Sequence, residues 1–235
     1  LVTDRLELVV VILVSIGGWW LCEFYNAPRF WNSNLELWWH YHNVDPNPYL
    51  RRVGYDWAFA TIFPALFETA ELFAITIFKR QQSKLSIQFS RRAMIALVFI
   101  GAAASAVPLV WPSAWLAPLV WLSFIFLFDP LNSLRGWPSI IGDVSHGDWR
   151  RLFSLLASGF VCGVLWEFWN YWALSRWTYT VPYFGNVKIF EMPVLGYLGF
   201  PPFAVECWTI YIFLRSLLSP PKFEVENGEI FGWSS

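Results

Sequence analysis

The sequence predicts an all-α integral membrane protein with about six transmembrane helices. Of its 235 residues, 57% are hydrophobic and only 14% are charged, whereas about a quarter of the residues of a soluble domain are charged. Six apolar windows have about twenty residues each, the length at which a helix crosses the ~30 Å hydrocarbon core of a bilayer. They cover residues 6–25, 55–78, 93–111, 114–134, 153–172 and 195–216. No linker interrupts them, so we expect a single transmembrane domain over residues 1–235.

Local signals describe each window in turn. The first has no small-residue cleavage pattern, so we expect a retained helix rather than a signal peptide. The second and the sixth contain Pro64 and Pro202, each of which removes a backbone hydrogen bond and is expected to kink its helix. Only residues 111–113 separate the third window from the fourth, which indicates a tight hairpin. The outer loops, 26–54 and 173–194, are long and aromatic, and we expect them to cap the bundle because solvated linkers are polar.

The distribution of basic residues predicts the orientation. Eleven of the sixteen lysines and arginines fall on one side of the predicted membrane, at or near residues 1–5, 79–92, 135–152 and 217–235. Cytoplasmic loops carry the excess of positive charge. We therefore expect both termini in the cytoplasm, with the protein in the inner (plasma) membrane of a bacterium.

A repeated pattern predicts an internal duplication. The tetrapeptide Glu-Phe-aromatic-Asn is followed by Trp-x-Tyr and then by Pro-x-x-x-Glu, first at residues 23–26, 39–41 and 64–68, and again at 167–170, 177–179 and 202–206. Repetition of this kind is typical of duplicated units. The repeat halves cover about 6–78 and 153–216, and the two copies are expected to run in parallel because helices one and five cross in the same direction.

Four glutamates are the candidate catalytic residues. A carboxyl group inside a membrane span is costly and is by default a functional-site candidate. Glu68 and Glu206 lie deepest, and we expect them to act as proton donor and proton acceptor. Glu23 and Glu167 lie nearer the outer surface and are expected to assist them. The alternative for all four is a structural hydrogen bond to a neighbouring helix.

Other residues of the repeat are expected to line the binding site. Asn26 and Asn170 follow their glutamates by three residues, so they share a helix face with them and can orient the carboxyl groups. A proline kink beside a buried acid opens space for a ligand, and aromatic faces can stabilise a cation. Glu191 either caps the sixth helix or reaches the site. The predicted substrate-binding set is Asn26, Asn170, Glu191, Trp39, Tyr41, Trp177, Tyr179, Pro64 and Pro202.

Several kinds of chemistry lack support in the sequence. A net charge of −1 gives no reason to expect a nucleic-acid partner. The three cysteines have no metal-ligand spacing, and no histidine lies within a helix where it could ligate haem. The sequence has no P-loop, no Gly-x-Gly-x-x-Gly and no Gly-x-Ser-x-Gly elbow. We therefore expect neither a cofactor nor a metal.

The order of these motifs resembles that of a known family of membrane enzymes. Trp177-x-Tyr179 leads through Phe190-Glu191-Met192-Pro193 to the Pro-x-x-x-Glu motif at 202–206, and residues 39–41 and 64–68 form the first-half counterpart. This pattern is similar to that of the small integral-membrane lycopene cyclases of the bacterial heterodimeric and fungal fused type, over about 26–78 and 167–216. The family's motif is Pro-x-Glu followed by another acid, whereas here one glutamate follows proline by four. The resemblance implies redox-neutral cyclisation of a polyisoprenoid.

Three functions remain open from the sequence. The first is a polyene or terpenoid (carotenoid-type) cyclase or isomerase that protonates a double bond. The second is a non-catalytic accessory subunit that holds a carotenoid, a quinone or a chlorophyll-like pigment among other membrane subunits. The third is a proton-coupled transporter that uses the same glutamates. The partners expected are thus the lipid bilayer and a hydrophobic isoprenoid, carotenoid or quinone ligand.

Overall fold

A computed structural model of the chain describes residues 5–28, 36–79, 83–182 and 185–218. It is mostly helical and has six helices long and apolar enough to cross a membrane, as the sequence predicts. These spans are Arg5–Asn26, Pro48–Ile75, Arg91–Val110, Ala114–Leu134, Arg150–Trp172 and Val194–Leu218. Six such helices are consistent with an integral membrane protein.

The spans consist of the following elements. Helix α1 is Arg5–Asn26, α2 is Pro48–Ala60, α3 is Ile62–Ile75, α4 is Arg91–Val110, α5 is Ala117–Leu134, α6 is Ile140–Ser145, α7 is Arg150–Trp172 and α8 is Phe200–Leu218. The short strands are β1 (Trp39–His42), β2 (Arg176–Tyr179), β3 (Lys188–Ile189) and β4 (Met192–Pro193). Parts of the two predicted aromatic loops, residues 29–35 and 183–184, lie outside the described residues.

The second span starts earlier than its apolar window. Pro48 occupies the first turn, and the Asn47 side chain accepts hydrogen bonds from the backbone N–H groups of Tyr49 and Leu50. An asparagine cap followed by proline is a strong helix start that does not depend on hydropathy. Residues 48–54, predicted as loop, are therefore helical.

The second span is also broken in the middle. Helix α2 ends at Ala60 and α3 begins at Ile62. Pro64 has no N–H to donate to the carbonyl four residues earlier. The Ser15 hydroxyl of α1 inserts at the break, donating to the Phe59 carbonyl at 2.5 Å and accepting from the Phe63 N–H at 3.0 Å. Ser15 thus bridges the Phe63 N–H and the Phe59 carbonyl, which would bond each other directly in a continuous helix.

Pro202 does not kink its helix, so the prediction of a kink there is wrong. Pro201 and Pro202 lie in the first turn of α8, directly after the 3-10 turn Val194–Gly199. Backbone N–H groups in the first turn have no helical acceptor, so proline is tolerated there. The irregular part of this span precedes the proline instead of following from it.

Helices α3, α7 and α8 form the centre of the bundle. Helix α3 packs against α7, α7 against α8, α8 against α5, and α5 against α4, while α1 contacts α2, α3 and α8. Gly159 and Gly163 of α7 let α8 approach closely, because a Cβ added at either position would lie 2.2 Å from an atom of Phe200. Small residues at such positions are how membrane helices gain contact.

The two ends of the bundle differ. At one end, which we call the ribbon end, β1 pairs with β2 in antiparallel register, with Trp39 opposite Tyr179 and Tyr41 opposite Trp177. At the other end, the α6 end, the Asp129 carboxylate accepts hydrogen bonds from the N–H groups of Ile140 and Ile141 at 2.7 and 2.9 Å. There too, Arg215 of α8 lies 2.9 Å from Glu7 of α1. Helices α1 and α7 both run toward the ribbon end.

Candidate functional site

The four candidate glutamates lie in three different environments. Glu23 and Glu167 lie beneath the β1–β2 ribbon, where side chains of the strands bind them. Glu206 is in the centre of the bundle and is only 3% exposed. Glu68 lines a groove between α1 and the broken α2–α3 span. The predicted proton donor and acceptor, Glu68 and Glu206, therefore line separate cavities.

Three aromatic side chains hold the Glu23 carboxyl group. The Tyr41 hydroxyl donates to Oε1 at 2.5 Å. The indole N–H groups of Trp19 and Trp39 donate to the same oxygen at 2.9 and 3.2 Å. Tyr41 and Trp39 are two residues apart on β1, so both project from the same face of the ribbon.

The Glu167 carboxyl group has a matching set of contacts. The Tyr179 hydroxyl donates to its Oε1 at 2.8 Å, and the Trp177 indole N–H donates to it at 3.2 Å. Its other oxygen, Oε2, is buried without a hydrogen-bond partner among the described residues. The second copy of the Glu and Trp-x-Tyr motifs thus makes the same contacts as the first.

Burial keeps the two tyrosines protonated. It raises the pKa of Tyr41 well above the ordinary value, and the nearby Glu23 carboxylate raises it further. The pKa of Tyr179 is raised in the same way, first by burial and then by Glu167. Loss of either proton would place two negative charges side by side in a dry site. Both phenols therefore act as hydrogen-bond donors that fix the glutamates.

The two asparagines bind the ribbon instead of the glutamates. Asn26 donates to the Trp39 carbonyl at 2.9 Å and accepts from the Trp38 N–H at 2.9 Å. Asn170 donates to the Trp177 carbonyl at 2.8 Å and accepts from the N–H of the same residue at 2.8 Å. The expectation that they orient the carboxyl groups directly is corrected: they hold the strands whose tryptophans and tyrosines do so.

Many of the aromatic rings near Glu23 pack against one another. Tyr41 lies 5.0 Å from Tyr55 between ring centroids, and Tyr55 stacks on Phe59 at 5.7 Å. Trp19 contacts Phe59 and Phe203 at 5.9 and 5.7 Å. Pairs at these distances stabilise a packed core. Internal packing therefore accounts for part of the aromatic content of the chain, which is 20% of its residues.

Glu206 borders a cavity too small for a substrate. The cavity has a volume of about 10 Å³ and is lined otherwise by apolar side chains and by Cys22 and Cys207. The Oε1 atom of Glu206 is buried without a hydrogen-bond partner among the described residues. A space of this size holds about one water molecule.

Glu68 lines a far larger space. The groove has a volume of about 830 Å³, which is within the range of small-molecule sites. One wall is the apolar face of α1, and the other is α2–α3, including Pro64 at the helix break. The lining residues are Leu8, Ile12, Ile16, Val53, Asp56, Trp57, Ala60, Thr61, Pro64, Ala65, Glu68 and Thr69.

Glu191 forms an ion pair near β4. Its Oε1 atom lies 3.6 Å from an amino group of Arg176 on β2. The pair links the loop before α8 to the ribbon, so the structure favours a structural role over direct contact with the groove.

Two sets of residues near the groove were not predicted. Ser15 stabilises the helix break, and its sequence signal is a single serine in the middle of an apolar helix. At the ribbon end of the groove, Arg52 lies 2.9 Å from Asp56, and the Trp20 indole N–H donates to Asp56 at 2.7 Å. The i, i+4 spacing of Arg52 and Asp56 is a sequence signal for that ion pair.

No protein-family model matches the chain, and no curated protein and no solved structure matches it. The resemblance to lycopene cyclases, which comes from the motifs, stays a prediction.

Proposed function

We propose that the protein is a membrane-embedded polyene or terpenoid cyclase or isomerase, with Glu68 as its proton donor. The observation that carries this proposal is the groove, a mostly apolar space whose wall includes the Glu68 carboxyl group. The other acid on its wall, Asp56, is paired with Arg52 and Trp20. Its volume of about 830 Å³ accommodates an isoprenoid chain. The cavity at Glu206, by contrast, has no room for one.

The groove walls suit a hydrocarbon. Leu8, Ile12 and Ile16 are four residues apart and form one continuous apolar stripe on α1. Opposite them, Trp57 is 78% exposed and presents its indole to the groove. The break before Pro64 separates α2 from α3 at mid-groove, as expected of a proline that removes a backbone hydrogen bond.

In this proposal Glu68 acts first as the proton donor and then as the proton acceptor. In its protonated form, Glu68 donates a proton to one carbon of a double bond, and the π electrons form the new C–H bond. The cation left on the other carbon is attacked by a second double bond or stays in place. Loss of a neighbouring proton to the Glu68 carboxylate restores a double bond and the acid. The substrate and product have the same formula.

The other three glutamates have supporting roles in this proposal. Glu23 and Glu167 anchor the ribbon over the bundle through their bound tryptophans and tyrosines. Glu206 stays in the core with space for one water. The sequence predicts that Glu206 accepts the proton; in this proposal the Glu68 carboxylate accepts it instead.

We further propose that the two halves, 6–78 and 153–216, arose by duplication and are related in parallel. Two correspondences support this relation. Glu23 and Glu167 each accept a hydrogen bond from a ribbon tyrosine. Asn26 and Asn170 each donate to the carbonyl of a ribbon tryptophan. The ribbon end would face outward, with both termini in the cytoplasm and the chain in a bacterial inner membrane, as the distribution of basic residues indicates.

The test is turnover in heavy water. The purified chain in proteoliposomes is given an acyclic polyene hydrocarbon or a long-chain polyprenyl phosphate in D₂O, and products are analysed by liquid chromatography and mass spectrometry. We expect a product that has the substrate's formula with one deuterium in place of hydrogen. Glu68→Gln should lower its formation by about 100-fold or more, the usual contribution of a general acid.

Glu71→Gln is the matched control, because Glu71 lies on the same helix but does not line the groove. Both variants should elute and unfold like the parent protein. Unchanged turnover in Glu68→Gln would rule out its role as the donor. A stoichiometric ligand that copurifies and is never converted would favour the accessory-subunit function.

A further inference from the structure

We infer that the occupant of the groove is a long-chain isoprenoid phosphate whose phosphate binds Arg52 at the ribbon end. This inference rests on the proposed function, because Glu68 acts only on an occupant with double bonds. It adds the chemistry of the head group and the length of the chain.

The guanidinium of Arg52 is held in place by two neighbours. Its Nε lies 2.9 and 3.1 Å from the two carboxylate oxygens of Asp56, which lines the groove. Its central carbon lies 4.1 Å from the centre of the Trp20 ring. The Trp20 indole N–H also donates to Asp56, so each of the three side chains contacts the other two. Arg52 is therefore oriented before any ligand binds.

The outer edge of that guanidinium has no hydrogen-bond partner among the described residues. Within the part of the chain that the structure describes, Arg52 makes its hydrogen bonds through Nε, and its two terminal amino groups make none. Its side chain is 60% exposed. A guanidinium binds phosphate through paired N–H donors in a planar fork. The available edge thus suits an anionic oxygen group at the mouth of the groove.

The charges around the mouth are consistent with an anionic head. The Asp56 carboxylate is occupied by Arg52 and Trp20. Arg51, the next residue, adds a second positive charge and donates to the Asp45 carbonyl at 3.3 Å. Both arginines lie in the first turns of α2, which begins at Pro48, so they are at the level of lipid head groups.

The distance along the groove sets the length of the ligand. Arg52 and Glu68 are sixteen residues apart on the α2–α3 span. At 1.5 Å per residue, they are separated by about 24 Å. A phosphate on Arg52 therefore places the double bond that meets Glu68 several isoprene units along the chain. Short isoprenoid phosphates would end before they reach the acid.

Binding measurements test this inference independently of turnover. The full chain in phosphatidylcholine nanodiscs is titrated with a long-chain polyprenyl phosphate and with the polyprenol of the same length, and bound ligand is measured by native mass spectrometry. We expect the phosphate to bind about tenfold tighter or better, the effect of one charge-assisted contact. Arg52→Gln should remove this preference and leave polyprenol affinity unchanged. Arg52→Lys should keep part of it.

Three controls define the outcomes. Arg176→Gln, in the ribbon of the second half, should keep the preference, and so should Glu68→Gln. A short-chain isoprenoid phosphate should bind at least tenfold more weakly than the long one. Equal binding of phosphate and alcohol by the parent protein, or equal competition by phosphatidylglycerol, would overturn the inference. A preference for the phosphate in a protein that converts nothing would uphold the binding site and reject the catalytic role of Glu68.

Discussion

Ser15 shows how one buried hydroxyl can stabilise an interrupted helix inside a membrane. Its Oγ is fully buried and binds both the Phe59 carbonyl and the Phe63 N–H, the two backbone groups that would bond each other directly in a continuous helix. Unpaired backbone groups are costly in a bilayer because no water is available to bind them. The hydroxyl therefore makes an open groove compatible with a stable span.

Ser15→Ala is expected to destabilise the protein by about 1–3 kcal/mol, because it leaves the buried Phe63 N–H without its acceptor and removes one donor from the Phe59 carbonyl. The measurement is thermal unfolding of the purified variant in detergent. Ser105→Ala is the control, since the Ser105 hydroxyl donates to the carbonyl of its own helix turn at Ala102 and lies near the surface. Equal unfolding temperatures for the two variants would show that the Ser15 bonds do not stabilise the break.

The asparagines illustrate what sequence spacing can and cannot predict at the residue scale. The spacing of Asn26 and Asn170 from their glutamates predicts a shared helix face, and in the structure both asparagines bind backbone groups of the ribbon. It does not indicate the partner, because an asparagine at a helix end can bind any backbone group that a returning loop supplies. The carbonyl groups that the asparagines bind are supplied by the paired strands β1 and β2.

At the scale of elements, hydropathy predicts the spans and local chemistry decides their limits. All six apolar windows correspond to helices. Helix α2 starts early because Asn47 caps it. Helix α8 is not kinked by Pro201 and Pro202 because both lie in its first turn. The same Pro-x-x-x-Glu spacing places Glu68 in a groove and Glu206 in the core. The face that a helix turns to its neighbours depends on packing, which a motif does not encode.

The contact between α7 and α8 gives a prediction at this scale. A Cβ on Gly159 would lie 2.2 Å from the Phe200 carbonyl oxygen, so the two helices would have to separate. We expect Gly159→Ala to cost about 1–3 kcal/mol, as is usual for an overpacked core, and to lower the unfolding temperature in detergent.

Gly17→Ala is the matched control on α1, because a Cβ there meets nothing within 4 Å. It should be neutral or stabilising by up to about 1 kcal/mol, since alanine restricts the unfolded chain more than glycine does. If both variants had the same stability, close approach at Gly159 would not be what joins α7 to α8.

At the scale of the whole molecule, the ribbon connects the two halves. Strand β1 belongs to the first half and β2 to the second, and their register sets each tryptophan opposite the other half's tyrosine. Each half also contributes one glutamate beneath the ribbon. Without either strand, the other would have no pairing partner in this ribbon.

The orientation of the protein in the membrane would decide which leaflet supplies the proposed ligand. Leu174 is 84% exposed beside the ribbon, and Leu85 is 62% exposed at the α6 end. In a variant without the native cysteines, Leu174→Cys should react with a membrane-impermeant maleimide on intact cells. Leu85→Cys should react only after the cells are permeabilised, because basic residues near the α6 end favour the cytoplasm.

The cysteine-free parent gives the background for this labelling. The expected pattern places Arg52 in the outer leaflet, so that the proposed isoprenoid phosphate would enter the groove from that side with its chain directed inward toward Glu68. The reverse pattern would contradict the proposed orientation and move the phosphate to the inner leaflet. Since the groove geometry is the same in either case, this experiment separates the direction of ligand entry from the identity of the ligand.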